Sequence, residues 1–70
     1  MSGSEFITLN GKPREIAPGS TVADLLTELG LDPRTVAVEH NRTIIKRETY
    51  AGATLSSGDN LEVVRFVQGG

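Results

Sequence analysis

Apolar and polar residues alternate over Glu5-Phe6-Ile7-Thr8-Leu9, with Ile7 and Leu9 on one side and Phe6 and Thr8 on the other. That period predicts a β-strand. Asn10-Gly11 follows, and because both residues tolerate the positive φ of a type I′ turn, the chain is expected to double back there. The return strand, Lys12-Pro13-Arg14-Glu15-Ile16, contains a proline with no N–H to give to a ladder, so it belongs at a sheet edge. After the break at Ala17-Pro18-Gly19 the period changes. Val22, Leu25, Leu26 and Leu29 fall at i, i+3, i+4 and i+7, the single apolar stripe of a short helix. Thr21 with Asp24 three residues later offers a capping box. Gly30 suits the left-handed residue after the last turn, and Pro33 bars resumption.

Further on, Val36-Ala37-Val38-Glu39-His40-Asn41 reads as a third strand, ending in a turn at Asn41-Arg42, and Thr43-Ile44-Ile45-Lys46 as a short fourth. Arg47 to Thr54 shows no clear period and is expected to be a loop, with room for one helical turn. Ser57-Gly58-Asp59-Asn60 is a turn cluster, and Leu61-Glu62-Val63-Val64-Arg65-Phe66 is the last strand. The economical way to bury one helical stripe is an α+β fold: a mixed sheet of five, or four, strands with one helix across one face. The first and last strands are expected side by side at its centre. Leu61 and Val63 then face the helix, whereas Val64 and Phe66 point away, with Phe6 expected as their neighbour on the outer face. Apolar side chains on the uncovered face make a candidate docking patch.

Seventy residues make a single domain, 1–70, that hides only about 60% of its unfolded surface. Residues 1–4 are small and polar and are read as a flexible start, and 67–70 as a flexible tail. The chain has no cysteine, which excludes disulfides, thiolate metal sites and a thiol nucleophile. A net charge of −2 and a sequence pI of about 5.2 argue against a nucleic-acid binder. No apolar run approaches a membrane span, no signal peptide opens the chain, and the expected location is cytoplasmic.

Candidate chemistry is confined to the carboxyl end. Gly69-Gly70 places a carboxylate on two residues without side chains, able to enter a channel too narrow for others. An enzyme that joined this carboxylate to AMP would have to bring it against a nucleotide phosphate, and bare glycines ease that approach. The four residues after Phe66 reach at most about 14 Å when extended. Nothing else looks catalytic. His40 is the only histidine and is read as a satisfied or surface residue. Glu39, Glu62 and Asp59 are read as solvated strand-end and turn charges rather than a metal site, with Asp59 serving its turn.

Taken together, Ile7-Thr8-Leu9-Asn10-Gly11, Thr21-Val22-Ala23-Asp24-Leu25-Leu26, Val36-Ala37-Val38-Glu39-His40-Asn41, Ile44-Ile45, Gly58-Asp59, Leu61-Glu62-Val63-Val64 and the terminal Gly69-Gly70 resemble the ThiS family of sulfur carriers in thiamin biosynthesis, within the ubiquitin-like β-grasp group. The resemblance implies a carrier rather than an enzyme, with no cofactor bound to the chain. An E1-like partner would use ATP and magnesium to adenylate Gly70. A sulfur donor, either a persulfide-bearing desulfurase or a rhodanese-type protein, would convert the adenylate to a thiocarboxylate, and thiazole synthase would take the sulfur. Gly69, Gln68 and Val67 would thread the partner's channel, and Val64, Phe66 and Phe6 would dock beside it. In a chain without cysteine, the terminal carboxylate is the group left to hold sulfur. A small subunit of molybdopterin synthase, a ubiquitin-like protein modifier and an inert β-grasp binding module are the alternative readings.

Overall fold

The computed structural model describes residues 5–66. The expectations for residues 1–4 and for Val67, Gln68, Gly69 and Gly70 lie outside these described residues. Five strands form one mixed sheet in the order β2-β1-β5-β3-β4. They are β1 (Glu5–Leu9), β2 (Lys12–Ile16), β3 (Val36–His40), β4 (Thr43–Ile45) and β5 (Asn60–Arg65). Asn10 and Gly11 take φ values of 51° and 83°, the turn geometry that folds β2 back on β1. The proline of β2 sits at the sheet edge, as a residue without an N–H must.

The helix α1 (Val22–Leu29) begins and ends on its expected caps. Thr21 Oγ1 accepts from the Asp24 N–H at 3.1 Å, and Asp24 Oδ2 accepts from the Thr21 N–H at 3.0 Å. Gly30, at φ 71°, closes the last turn in the left-handed region. Val22, Leu25 and Leu26 are buried against Ile7, Ile16, Val36, Val38, Leu61 and Val63, the inner face of all the strands but β4. Ile45 of β4 packs against the same core from its margin.

The segment expected to be a loop is ordered and structural. Arg47–Gly52 forms a 3₁₀ helix that buries Tyr50, and Leu55 just beyond it is 1% exposed. Leu55 N–H donates to Ser20 O at 2.8 Å and Val22 N–H to Ala53 O at 3.0 Å, so this stretch is zipped to the start of α1. A 3₁₀ helix repeats every three residues, so a search for periods of 3.6 or 2 passes over it. A second 3₁₀ turn, Pro33–Thr35, leads into β3.

Candidate functional site

The site is the far end of β5, from which the chain passes on to its last four residues. β5 lies between a parallel neighbour, β1, and an antiparallel one, β3. The parallel ladder stops at Leu9–Leu61, and β1 then turns away. Asn10 covers the gap. Its backbone N–H donates to Leu61 O at 2.9 Å, and its carboxamide then does what another strand residue would have done. Oδ1 accepts from the Val63 N–H at 2.8 Å, and Nδ2 donates to Val63 O at 3.3 Å. A buried backbone group left unpaired costs about as much as a lost hydrogen bond, so this contact holds β5 straight for one more step toward the tail.

Asn41, also at positive φ, does the same at the start of β5 from the opposite side. Its N–H donates to Asn60 O at 2.8 Å, and its Oδ1 accepts from the Asn60 N–H at 2.8 Å. On the β3 side the pairing continues to Phe66, whose N–H donates to Thr35 O at 2.8 Å.

Val64 and Phe66 point away from the helix and are 59% and 52% exposed. Phe6 shares the outer face and is 55% exposed, but it is not their neighbour. Thr8 stands level with Asn60, so Phe6 stands level with Gly58, and its carbonyl accepts from the Gly58 N–H. Val64 is six residues farther along a strand running the same way, about 20 Å off. The expected patch is therefore corrected: Val64 and Phe66 lie at the tail end, and Phe6 at the opposite end. Ile44, 70% exposed, lies closer to Val64 than Phe6 does; it pairs with Glu39 of β3, which pairs in turn with Glu62 of β5. Alternation over the three residues of β4 is too short to show which face Ile44 takes.

At the other end of β5, Asp59 gathers three donors into its turn. Oδ2 accepts from the Ser56 N–H at 2.9 Å and from His40 Nε2 at 2.8 Å, and Oδ1 accepts from Asn41 Nδ2 at 3.3 Å. A carboxylate only accepts, so the His40 proton on Nε2 is the one shared. The Asp59 side chain is only 15% exposed, so it is a turn residue as expected but not a solvated one. Burial pushes its carboxyl up, yet the bonds from His40, Ser56 and Asn41 and the charge of His40 outweigh that and hold it below the usual aspartate value of 3.8. Nineteen residues separate His40 from Asp59, so no local motif could announce the pair. Among the described residues no group of three or more metal-ligating side chains occurs, and no helix is long and apolar enough to cross a membrane.

Comparison with known proteins adds the following. A family model described as the ThiS family matches residues 7–70. The thiazole synthase of Paramagnetospirillum magneticum is 44% identical over 64 residues, 91% of this chain but 20% of that protein. This chain thus spans about a fifth of that relative's length. The sulfur carrier protein ThiS of Bacillus subtilis is 38% identical over 66 residues, covering 93% of this chain and all of that protein. The crystal structure of a thiamine biosynthesis protein (ThiS) from Geobacter metallireducens superposes with a TM-score of 0.80 at 34% identity, covering 93% of this chain and 99% of the other. A computationally designed protein based on a ubiquitin template superposes with a TM-score of 0.56 at 21% identity and shares the fold, the ubiquitin-like β-grasp.

Two outcomes follow from the geometry around β5. The folded carboxyl of Asp59 is more acidic than the unfolded one, so its stabilisation is complete above the ordinary value of 3.8 and is lost as pH falls through the lower folded value. Asp59→Asn should destabilise the domain by about 1–3 kcal/mol at neutral pH. That difference should shrink to near zero in acid, read as urea midpoints across pH; a pH-independent difference would contradict it. Replacing Asn10 by Ala should leave the fold by circular dichroism but speed amide exchange at Val63 selectively, while Val22 in the helix stays protected.

Proposed function

The chain belongs to the ThiS family, and from that membership we propose that it is a sulfur carrier of thiamin biosynthesis, loaded and unloaded at Gly70 by other proteins. The observation that carries this reading is that the family match runs through residue 70, so it takes in Gln68-Gly69-Gly70 as well as the body. The carrier role gives the chain the part of co-substrate: the chemistry at Gly70 is performed by its partners.

In this proposal a carboxylate oxygen of Gly70 attacks the α-phosphorus of ATP, which the E1-like activating enzyme holds with magnesium. Pyrophosphate leaves and an acyl-adenylate remains. The terminal sulfur of a persulfide on the donor protein then attacks the acyl carbon and AMP leaves. A thiol cleaves the resulting disulfide link, so that one sulfur stays on Gly70 as a thiocarboxylate. Thiazole synthase is the acceptor, a partner suggested by the relative of that name that contains a segment like this chain. Gly69, Gln68 and Val67 serve as the arm that enters each partner, since residues without bulky side chains pass a narrow channel.

The body's contribution is to aim and to dock. β5 delivers the chain from the centre of the sheet, and Val64 and Phe66 offer apolar surface beside the point of departure. Exposed apolar side chains of this kind are suited to the desolvated centre of a contact.

Incubation with the activating enzyme, ATP, magnesium and a persulfide donor should raise the intact mass by the exchange of one oxygen for sulfur. Deleting Gly70 should abolish the change and leave the melting temperature unaltered, because a terminus adds little to a core. No mass change in conditions that load the Bacillus subtilis carrier would overturn the reading. Val64→Asp should weaken binding to thiazole synthase by tenfold or more, about 1.4 kcal/mol or above, without unfolding the domain. Titration calorimetry beside a thermal melt separates the two effects.

A further inference from the structure

Charge is unevenly placed on this body. Four of the seven cations, Arg34, Lys46, Arg47 and Arg65, gather at the end of the sheet where β5 passes the chain to its tail. Only two of the nine acids, Asp32 and Glu48, accompany them. The remainder of the chain holds three cations and seven acids.

The ladder fixes this grouping. Arg65 of β5 stands opposite Val36 of β3. Arg34 comes just before Thr35, whose carbonyl holds the Phe66 N–H. Lys46 and Arg47 follow directly on Ile45, which pairs with Val38 on the other side of β3. They therefore lie about two strand spacings, roughly 10 Å, from the end of β5. All four side chains belong to exposed residues.

Asp32 is already engaged. Its Oδ1 and Oδ2 accept from Arg34 Nε at 3.2 Å and Nη2 at 2.9 Å, and its carboxyl is held below the usual range chiefly by those bonds and also by the field of Arg47. Lys46, Arg47 and Arg65 thus carry the excess positive charge at this end. Three residues back along β5 the charge is acidic, because Glu62 lies directly opposite Glu39 of β3. Cations outnumber acids only in a collar around the tail's point of departure.

Taking the carrier reading above as given, we propose that this basic collar docks on an acidic rim around the mouth of the cleft in thiazole synthase that receives the tail. The chain's overall charge of −2 would repel an acidic partner in most orientations. The separation of charge converts that repulsion into orientation: the acidic body is turned away and the collar is drawn in, so encounters begin tail first. Fields of this kind act on the rate of association and on register more than on the final affinity.

The test is the association rate of the full chain with thiazole synthase from the same organism, followed by stopped flow from low to high NaCl. Wild-type association should slow as salt rises, because screening shortens the reach of exposed charge to about 8 Å at physiological ionic strength. Lys46→Glu with Arg47→Glu should slow it about tenfold at low salt and flatten the salt dependence, with little change in the dissociation rate. Lys12→Glu with Arg42→Glu makes the same change in net charge away from the collar and should not slow association. If both pairs slow it alike, or if wild-type association ignores salt, the collar has no such role. Circular dichroism checks folding, and Lys46→Gln with Arg47→Gln, a milder change expected to give about half the effect on a logarithmic scale, serves if the reversed pair unfolds. Intact mass after loading is measured on the same proteins. A wild type that never gains sulfur overturns the carrier reading, whereas collar variants that load and associate normally overturn the collar alone.

Discussion

The structure depends on keeping its last strand in the middle of the sheet. β5 has a parallel neighbour on one side and an antiparallel one on the other, and these two ladders do not run the same length. β1 gives out at Leu9 while β5 goes on, so the backbone of Val63 would face nothing. Asn10 fills that place with its carboxamide, and Asn41 fills the matching place beside Asn60 at the strand's other end. A primary amide is the one side-chain group that can both donate and accept as a peptide does, which is why asparagine fits both places. Both residues also sit at positive φ, where asparagine is among the few non-glycine types tolerated.

From that arrangement the division of the molecule follows. The inner faces of β1, β5 and β3 meet the leucines of α1, and the small core is completed by Tyr50 and Leu55 from beneath the helix start. Among the described residues nothing covers the outer face of β5 in this way, and Val64 and Phe66 are exposed there. The two ends of the strand are electrostatically unlike. One is anchored by a partly buried carboxylate that collects donors from Ser56, Asn41 and His40, and the other is ringed by exposed cations. A strand fixed at one end and uncovered at the other suits the carrier role proposed above.

Much of this was legible in the sequence because its signals are local. Asn10-Gly11, the Thr21–Asp24 box and Gly30 each act within a few residues, and each appears in the structure as expected. The inward positions of Leu61 and Val63 and the outward ones of Val64 and Phe66 came from simple alternation. What stayed hidden depends on distance along the chain. The pairing of His40 with Asp59 spans 19 residues and that of Asn10 with Val63 spans 53. Phe6 was misplaced because alternation tells which face a residue takes but not its level along a parallel neighbour. Arg47 to Thr54, expected as a loop with room for one helical turn, holds a 3₁₀ helix whose extent stays hidden because its backbone bonds repeat at a spacing that neither helix nor strand patterns contain.

The central position of β5 has one consequence for how the domain is made. Its pairing with β1 joins residues far apart in the sequence, so the two hairpins on either side of it remain separate until β5 is in place. Contacts of such long sequence separation are the slow ones in folding. A chain that lacks β5 thus has two hairpins but no common sheet, so the strand that completes the fold is also the one that leads to Phe66.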